Sequence, residues 1–238
     1  MNSNKIFPKR ALISQSDKIG LTEFAKNLQQ RKVEIISTGG TAEHLNKNNI
    51  DVITVSSLTK FPEILDGRVK TLHPNIHAGI LANLDLETHT DTLNKLNIEN
   101  IDLIAVNLYP FEEVKNNSNK EEKIIENIDI GGPTLIRAAA KNYKFKIVIV
   151  DNNDFSIVLD EISNAKGVSL ETRKYLATKA FLYISDYDNM IAKWFLKENE
   201  PNDYPKYFPL SAKLKYQLKY GENPHQKGAV YSSDKNIK

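Results

Sequence analysis

Short apolar runs alternate along this chain with amphipathic stretches. Ala11–Leu12–Ile13 is the first run, and it ends in Ser14 and Ser16–Asp17–Lys18, as a buried strand feeding a polar loop does. From Ile19 to Leu28, apolar Leu21, Phe24, Ala25 and Leu28 recur at helical spacing. Val33 to Ile36 reads as the next strand. It stops at Ser37–Thr38–Gly39–Gly40–Thr41, and a helix is expected from Thr41 to Asn46. Strand, helix, strand, glycine-bearing loop, helix is the grammar of an α/β fold with a parallel sheet, whose ligands gather at strand C-termini.

The pattern continues with a weaker strand at Asp51 to Val55. Ser56 to Pro74 is irregular, interrupted by Gly67 and two prolines; an irregular stretch of that length in a compact domain is more often functional than idle. Asp85 to Leu96 predicts a polar surface helix. Ile101 to Val106 is apolar at nearly every position and therefore central to the sheet. Asn116 to Glu122 reads as a solvated connection, Glu121 to Asn127 as a short helix, and Lys146 to Val150 as another buried strand. Phe155 to Ile162 predicts an amphipathic helix, and Leu170 to Phe195 one long helix whose aromatics pack rather than react. After Leu196 the composition shifts. Glu198 to Leu210 carries three prolines, which favour an extended linker, and LKYGENPHQKGAVY after it reads as the opening of a further domain.

Composition narrows the function classes. A net charge of +2 over 238 residues is too small to argue for nucleic acid, although a local basic pocket suffices for a phosphate-bearing small molecule. With no cysteine, disulfides, thiolate catalysis and cysteine-ligated zinc are excluded. The N-terminus lacks an apolar run of signal-peptide length and no segment approaches membrane-span length, so a cytoplasmic protein is expected.

The chemistry concentrates in four polar segments that such a sheet would bring to one edge. Ser14 and Lys18 form the first. Ser37 to Thr41 form the second, where hydroxyls and bare backbone N–H groups at a helix start make a phosphate cradle. Neither a P-loop nor a dinucleotide fingerprint is present. The third, Asp66–Gly67–Arg68–Val69–Lys70–Thr71–Leu72–His73–Pro74, crowds cations, a hydroxyl and an imidazole into one loop. The fourth pairs Asn107 and Tyr109 with Ile128–Asn142, read IDIGGPTLIRAAAKN. There Asp129 and the Gly131–Gly132 pair precede a helix started by Pro133. A carboxylate at the mouth and Lys141 on the same helix make an acid/base pair conceivable. His73 and His77 stand four apart, a spacing that suits a metal on a helix, but Pro74 is expected to break that helix and no third ligand accompanies them. No metal is therefore expected, and both histidines are assigned hydrogen-bonding roles.

SQSDKIGL, STGGTA, FPEILDGRVKTLHPNIHAGIL, NLYPF and IDIGGPTLIRAAAKN, in this order, resemble the PurH family of bifunctional purine-biosynthesis enzymes. That family joins AICAR formyltransferase to inosine monophosphate (IMP) cyclohydrolase. The resemblance implies a methylglyoxal-synthase-like, Rossmann-like three-layer fold with a mainly parallel central sheet. It implies a cyclohydrolase domain at 8–195, a Pro-rich linker at 196–210 and a truncated start of the formyltransferase domain at 211–238, where Lys219 replaces the family's usual arginine.

The implied reaction is ring closure of formylated AICAR (FAICAR) to IMP with loss of water, without a cofactor. 10-Formyltetrahydrofolate would serve only the missing formyltransferase domain. The resemblance assigns catalysis to Lys70, Tyr109, Asp129 and Lys141, with Asp129 and Lys141 paired on the carboxamide. It assigns substrate binding to Ser14, Lys18, Ser37, Thr38, Gly39, Gly40, Thr41, Arg68, Thr71, Asn107, Ile130, Gly131 and Gly132. The expected partner is a small nucleotide, with neither nucleic acid nor membrane involved and with a homodimer possible. Three other readings stand beside it: a regulatory nucleotide-binding module of the same fold, methylglyoxal synthase itself, and a decayed fragment without catalysis. Retention of Lys70, Tyr109, Asp129 and Lys141 together speaks against a mere sensor.

Overall fold

The computed structural model describes residues 5–118, 120–199 and 204–233. The chain divides into two compact units, residues 1–184 and 185–238. In the first, five parallel strands form one sheet: β1 (Arg10–Ser14), β2 (Glu34–Ser37), β3 (Ile53–Thr54), β4 (Leu103–Val106) and β5 (Ile147–Ile149). Their spatial order is β3-β2-β1-β4-β5. The strands read as unbroken apolar runs because helices cover the sheet and leave no wet face to demand alternation. Leu12, Ile13, Ile36, Leu103, Ile104 and Ile147 to Ile149 are all buried. Truncating one such residue, Ile104 for instance, costs about 2–5 kcal/mol through lost transfer energy and the cavity left behind.

The helices are α1 (Leu21–Gln30), α2 (Gly39–Lys47), α3 (Val55–Thr59), α4 (Pro74–Leu81), α5 (Glu87–Lys95), α6 (Phe111–Asn117), α7 (Glu121–Glu126), α8 (Gly131–Lys141), α9 (Phe155–Asn164) and α10 (Leu170–Asn199). α1 packs on β2 and α9, where the Phe24 and Phe155 rings stack with centroids 4.1 Å apart. α8 lies against β4, β5 and α4 through Leu135, Ile136 and Ala138 to Ala140. The alanines hold this helix close to the sheet and at the same time favour helix formation.

Two registers position the site. Ser14 pairs with Val106 and Ile13 with Ser37, so β1, β2 and β4 end at nearly one level. From β1 the chain winds to β2 and β3 on one side, whereas β4 and β5 lie on the other. That reversal opens a crevice at the carboxyl ends of β1 and β4, where open α/β sheets bind their ligands.

Several expectations need correction. Pro74 does not break a helix; it begins α4, as its fixed φ and missing N–H permit at the first helical position. His73 caps that helix, its Nδ1 accepting the Asn75 N–H at 3.1 Å. Phe111 to Asn117 is helical, so the solvated connection after it is shorter than its composition suggests. The strand expected at Asp51 to Val55 keeps only Ile53 and Thr54, because Val55 already starts α3, capped by the Thr54 hydroxyl on Ser57 N–H. α10 runs on to Asn199.

In the second unit β6 (Lys213–Leu218) and β7 (Gly228–Ser232) form an antiparallel hairpin. Asp186 accepts the Ser211 hydroxyl there and pairs with Lys213 at 3.0 Å. Part of the expected Pro-rich linker, residues 200–203, lies outside the described residues.

Candidate active site

At the end of β1 the backbone leaves the sheet at Ser14. Ser16 and Asp17 turn their N–H groups onto Asn107 Oδ1, at 2.6 and 3.1 Å, and Asn107 Nδ2 donates to Asp17 O at 3.0 Å. Asn107, expected on the substrate, spends its amide on joining the β1 and β4 loops across the crevice. Asn152, after β5, adds bonds to Ile19 O and Asp17 O at 2.9 and 3.3 Å. Lys18 Nζ folds back to Ser16 O at 3.3 Å.

The Ser37 to Thr41 segment is the first turn of α2, with Thr38 extended at the N-cap and Gly39 and Gly40 opening the helix. Its hydroxyls are not alike. Ser37 is buried and donates to Ile13 O at 2.6 Å, and Thr41 is buried between Gln15 N and Gln15 O. Ser37 thus ties β2 to β1, and Thr41 ties α2 to the residue that follows β1, rather than facing the crevice. Thr38 donates to Glu63. What remains for an anion is the helix N-terminus itself, with the N–H groups of Gly39 and Gly40.

Loop 61–73 closes over that end. Lys70 is brought to Gly39 and Gly67: a Cβ added at Gly39 would lie 3.5 Å from Lys70 Nζ, and one at Gly67 would meet Lys70 Cε at 2.6 Å. Lys70 also lies 3.8 Å from Glu63 Oε2. Thr71 is buried beneath the start of α8, so that a Cβ on Gly131 would come within 2.9 Å of its hydroxyl. Arg68 points outward into an exposed bidentate pair with Glu126. That pair holds the guanidinium above its ordinary range, the Glu126 hydrogen bond being the main cause.

Asp129 stands just ahead of α8. Its Oδ1 accepts the Gly132 N–H at 2.8 Å, which caps the helix, and the Tyr109 backbone N–H reaches the same carboxylate. Burial pushes this carboxyl above the usual carboxylate range; the two N–H bonds and the Lys70 charge pull the other way, and burial prevails. Tyr109 and Ile130 are half exposed beside it. The cradle, Lys70 and Asp129 therefore share one crevice.

Lys141 does not join them. It sits exposed in the last turn of α8, and the 11 residues of that helix span roughly 16 Å. Within one chain Lys141 therefore stands a helix length from Asp129, and the cation whose charge reaches Asp129 is Lys70. Arg137, two-thirds along α8, lies over the Phe181 ring at 6.0 Å.

Three contributors escape the sequence reading. Glu63 binds Thr38 and Lys70. Tyr183, on α10, accepts the Leu108 N–H at 3.0 Å and so pins the β4 loop. Gln15, directly after β1, has its side-chain amide buried with no hydrogen-bond partner for either atom. Only Glu63 carried a signal, namely an acid close in sequence to Lys70 in an irregular loop.

Comparison with known proteins places this geometry. The family model of the MGS-like domain matches residues 20–134, and that of the AICARFT/IMPCHase bienzyme matches residues 139–238. The bifunctional purine biosynthesis protein PurH of Caldicellulosiruptor saccharolyticus is 54% identical over 224 residues, covering 94% of this chain and 44% of the relative. The PurH proteins of Acetivibrio thermocellus and Bacillus cereus are 52% and 50% identical over 94% of this chain. The chain thus spans less than half the length of these curated relatives. A solved structure, described as the crystal structure of ForH, is 30% identical with a TM-score of 0.69; the match covers 79% of this chain and 98% of that one. With an MGS-like parallel α/β domain followed by a segment of the bienzyme, the chain belongs to the PurH family of AICARFT/IMPCHase bienzymes.

Proposed function

We propose that this chain is an IMP cyclohydrolase, closing the ring of FAICAR to IMP with loss of water. The observation that carries the reading is Asp129: a carboxyl held out of water at the start of α8, in the field of Lys70, beside an anion cradle.

The reaction sets three demands. The substrate's carboxamide nitrogen must be held against its formyl carbon, that nitrogen must lose a proton, and the oxyanion formed on the formyl oxygen must be stabilised. The nucleotide's phosphate lies on the Gly39 and Gly40 N–H groups, with Lys18 as counter-charge from the β1 loop. Asp129 takes the carboxamide proton as the new C–N bond forms. Its burial suits it to this, because a base works best with an affinity for protons near the operating pH. Lys70, the Tyr109 hydroxyl and the N–H groups around Ile130 and Gly131 receive the oxyanion, which departs as water carrying the equivalent of that proton and of the formamide N–H proton, as the formamide nitrogen forms the ring C=N bond. The ring closure exchanges one water and no electrons, so the scheme needs no redox cofactor. Lys141 has no step in it within one chain.

The test is to supply the purified chain with FAICAR and follow IMP formation by ultraviolet absorbance. Turnover is expected, with Asp129→Ala and Lys70→Ala each losing about 10²-fold or more in kcat. Absence of IMP from the unaltered chain would refute the reading.

A further inference from the structure

Glu63 stands between the start of α2 and Lys70. One carboxylate oxygen accepts the Thr38 hydroxyl at the start of α2; the other lies 3.8 Å from Lys70 Nζ. The chain goes to some length to bring Glu63 and Lys70 together. Ile64 and Val69 form an isolated antiparallel bridge, each donating its N–H to the other's carbonyl at 3.2 and 3.3 Å. Glu63 and Lys70 are the residues just outside that bridge, and so emerge side by side. The turn that closes it holds Leu65, Asp66 and Gly67 at φ of 54°, 53° and 85°. Two residues with side chains in the left-handed region are retained only where the surroundings over-determine them, and such strain gathers at functional sites.

The clamp adds little to folding. Both side chains are about a third exposed, at 30% for Lys70 and 37% for Glu63, and ion pairs so placed are screened by water. It also works against binding, because it sets a negative charge beside an anion cradle. Its use must therefore lie in geometry. Lys70 carries a flexible stem and a point charge. Held by Glu63, the ammonium stands beside Gly39 and within reach of the Asp129 charge; with nothing to hold it, it would swing fully onto the phosphate and leave Asp129.

We propose that Glu63 is a positioning residue, which holds the Lys70 ammonium between the Gly39 end of the cradle and Asp129 and ties loop 61–73 to the start of α2. This rests on the cyclohydrolase reading. A clamp of this kind separates turnover from binding: without it the nucleotide still docks, yet the oxyanion donor is misplaced, and a misplacement of about 1 Å can cost ~10²-fold in rate.

The experiment compares the unaltered chain with Glu63→Gln, which keeps an oxygen for Thr38 but loses the charge, and with Glu63→Asp, which keeps the charge. Three quantities are read: kcat on FAICAR, IMP affinity by titration calorimetry, and acylation of Lys70 by an N-hydroxysuccinimide ester, quantified on its peptide by mass spectrometry. Glu63→Gln is expected to lose at least about tenfold in kcat while IMP affinity holds or tightens, the signature of an interaction used in the transition state alone. Lys70 acylation should rise several-fold in the same variant, and Glu63→Asp should recover most of both. Unchanged acylation in Glu63→Gln would overturn the proposal, as would a loss of IMP affinity equal to the loss of kcat. If the unaltered chain fails to turn over FAICAR while acylation still rises, the cyclohydrolase reading falls and the clamp on Lys70 stands.

Discussion

A carboxyl kept from water opposes folding whenever it is charged, and Asp129 is such a group. Its folded-state proton affinity lies above the ordinary one, so between the two values the native chain binds more protons than the unfolded chain. Stability therefore falls as pH rises through that window, and the deficit is fully present above it. Asp129→Asn keeps an oxygen for the Gly132 and Tyr109 N–H groups and removes the charge. Calorimetric scans should show a higher Tm than wild type at pH 8, with the gain fading towards about pH 4, the ordinary Asp value, while FAICAR turnover is lost. A variant less stable than wild type at pH 8 would mean that the N–H bonds and Lys70 outweigh burial. Gln15 offers a second case. Its amide is buried and unpartnered, and such a group costs about 1–3 kcal/mol. Gln15→Leu should raise Tm by several degrees, given ~2–4 °C per kcal/mol in a chain of this size; a fall in IMP affinity without a gain in Tm would assign the amide to the ligand instead. Residue types were legible in the sequence, whereas their directions were not. Ser37, Thr38 and Thr41 look equivalent as letters, yet the strand register turns Ser37 onto Ile13 O and Thr41 onto Gln15 and leaves Thr38 to Glu63. Lys141 likewise lies, within one chain, at the opposite end of α8 from Asp129.

Among the elements, the amino ends of β1, β4 and β5 carry a polar cluster that takes no part in the crevice. Lys146 is fully buried at the start of β5, donating to Gly79 O at 2.7 Å and to Asn100. Asp102 accepts the Lys9 and Arg10 N–H groups at 2.8 and 3.1 Å. Burial lowers the Lys146 ammonium from 10.5 to about 8, and the Asp102 charge offsets only part of this. The unfolded chain thus binds more protons between about pH 8 and 10.5, so the stability contributed by Lys146 should rise with pH through that window. Lys146→Met removes the titration. Urea midpoints at pH 7 and pH 9.5 should move in favour of wild type, relative to Lys146→Met, at the higher pH; a constant difference would show that Lys146 is solvated. The elements themselves were largely legible. The central strands and α1, α8, α9 and α10 follow from apolar period, which depends on burial alone. α4 was missed because Pro74 acts as a breaker inside a helix and as a starter at its first position, and a letter does not say which. Loop 61–73 was legible as irregular, but its strained bridge depends on positive φ at Leu65 and Asp66, which those residues do not advertise.

At the scale of the whole molecule, the two units differ in what they can do alone. The first has a five-stranded sheet covered by helices, and the match to ForH takes in 98% of that solved chain. In the second, β6 is exposed along its whole length and, among the described residues, pairs only with β7. A lone two-stranded hairpin is marginal in water. Formyl transfer from a folate requires a pocket for the pteridine and a base near the transferred carbon, and this segment carries a single histidine, His225, in the turn between its strands. Everything proposed for ring closure, by contrast, lies between Ser14 and Gly132. The 238-residue chain is therefore expected to convert supplied FAICAR to IMP and to form none from AICAR and 10-formyltetrahydrofolate. Offering both mixtures to one preparation decides it, with tetrahydrofolate release as the second readout. Release of tetrahydrofolate with no other protein present would place a formyltransferase site within these residues and remove the division of labour between the two units.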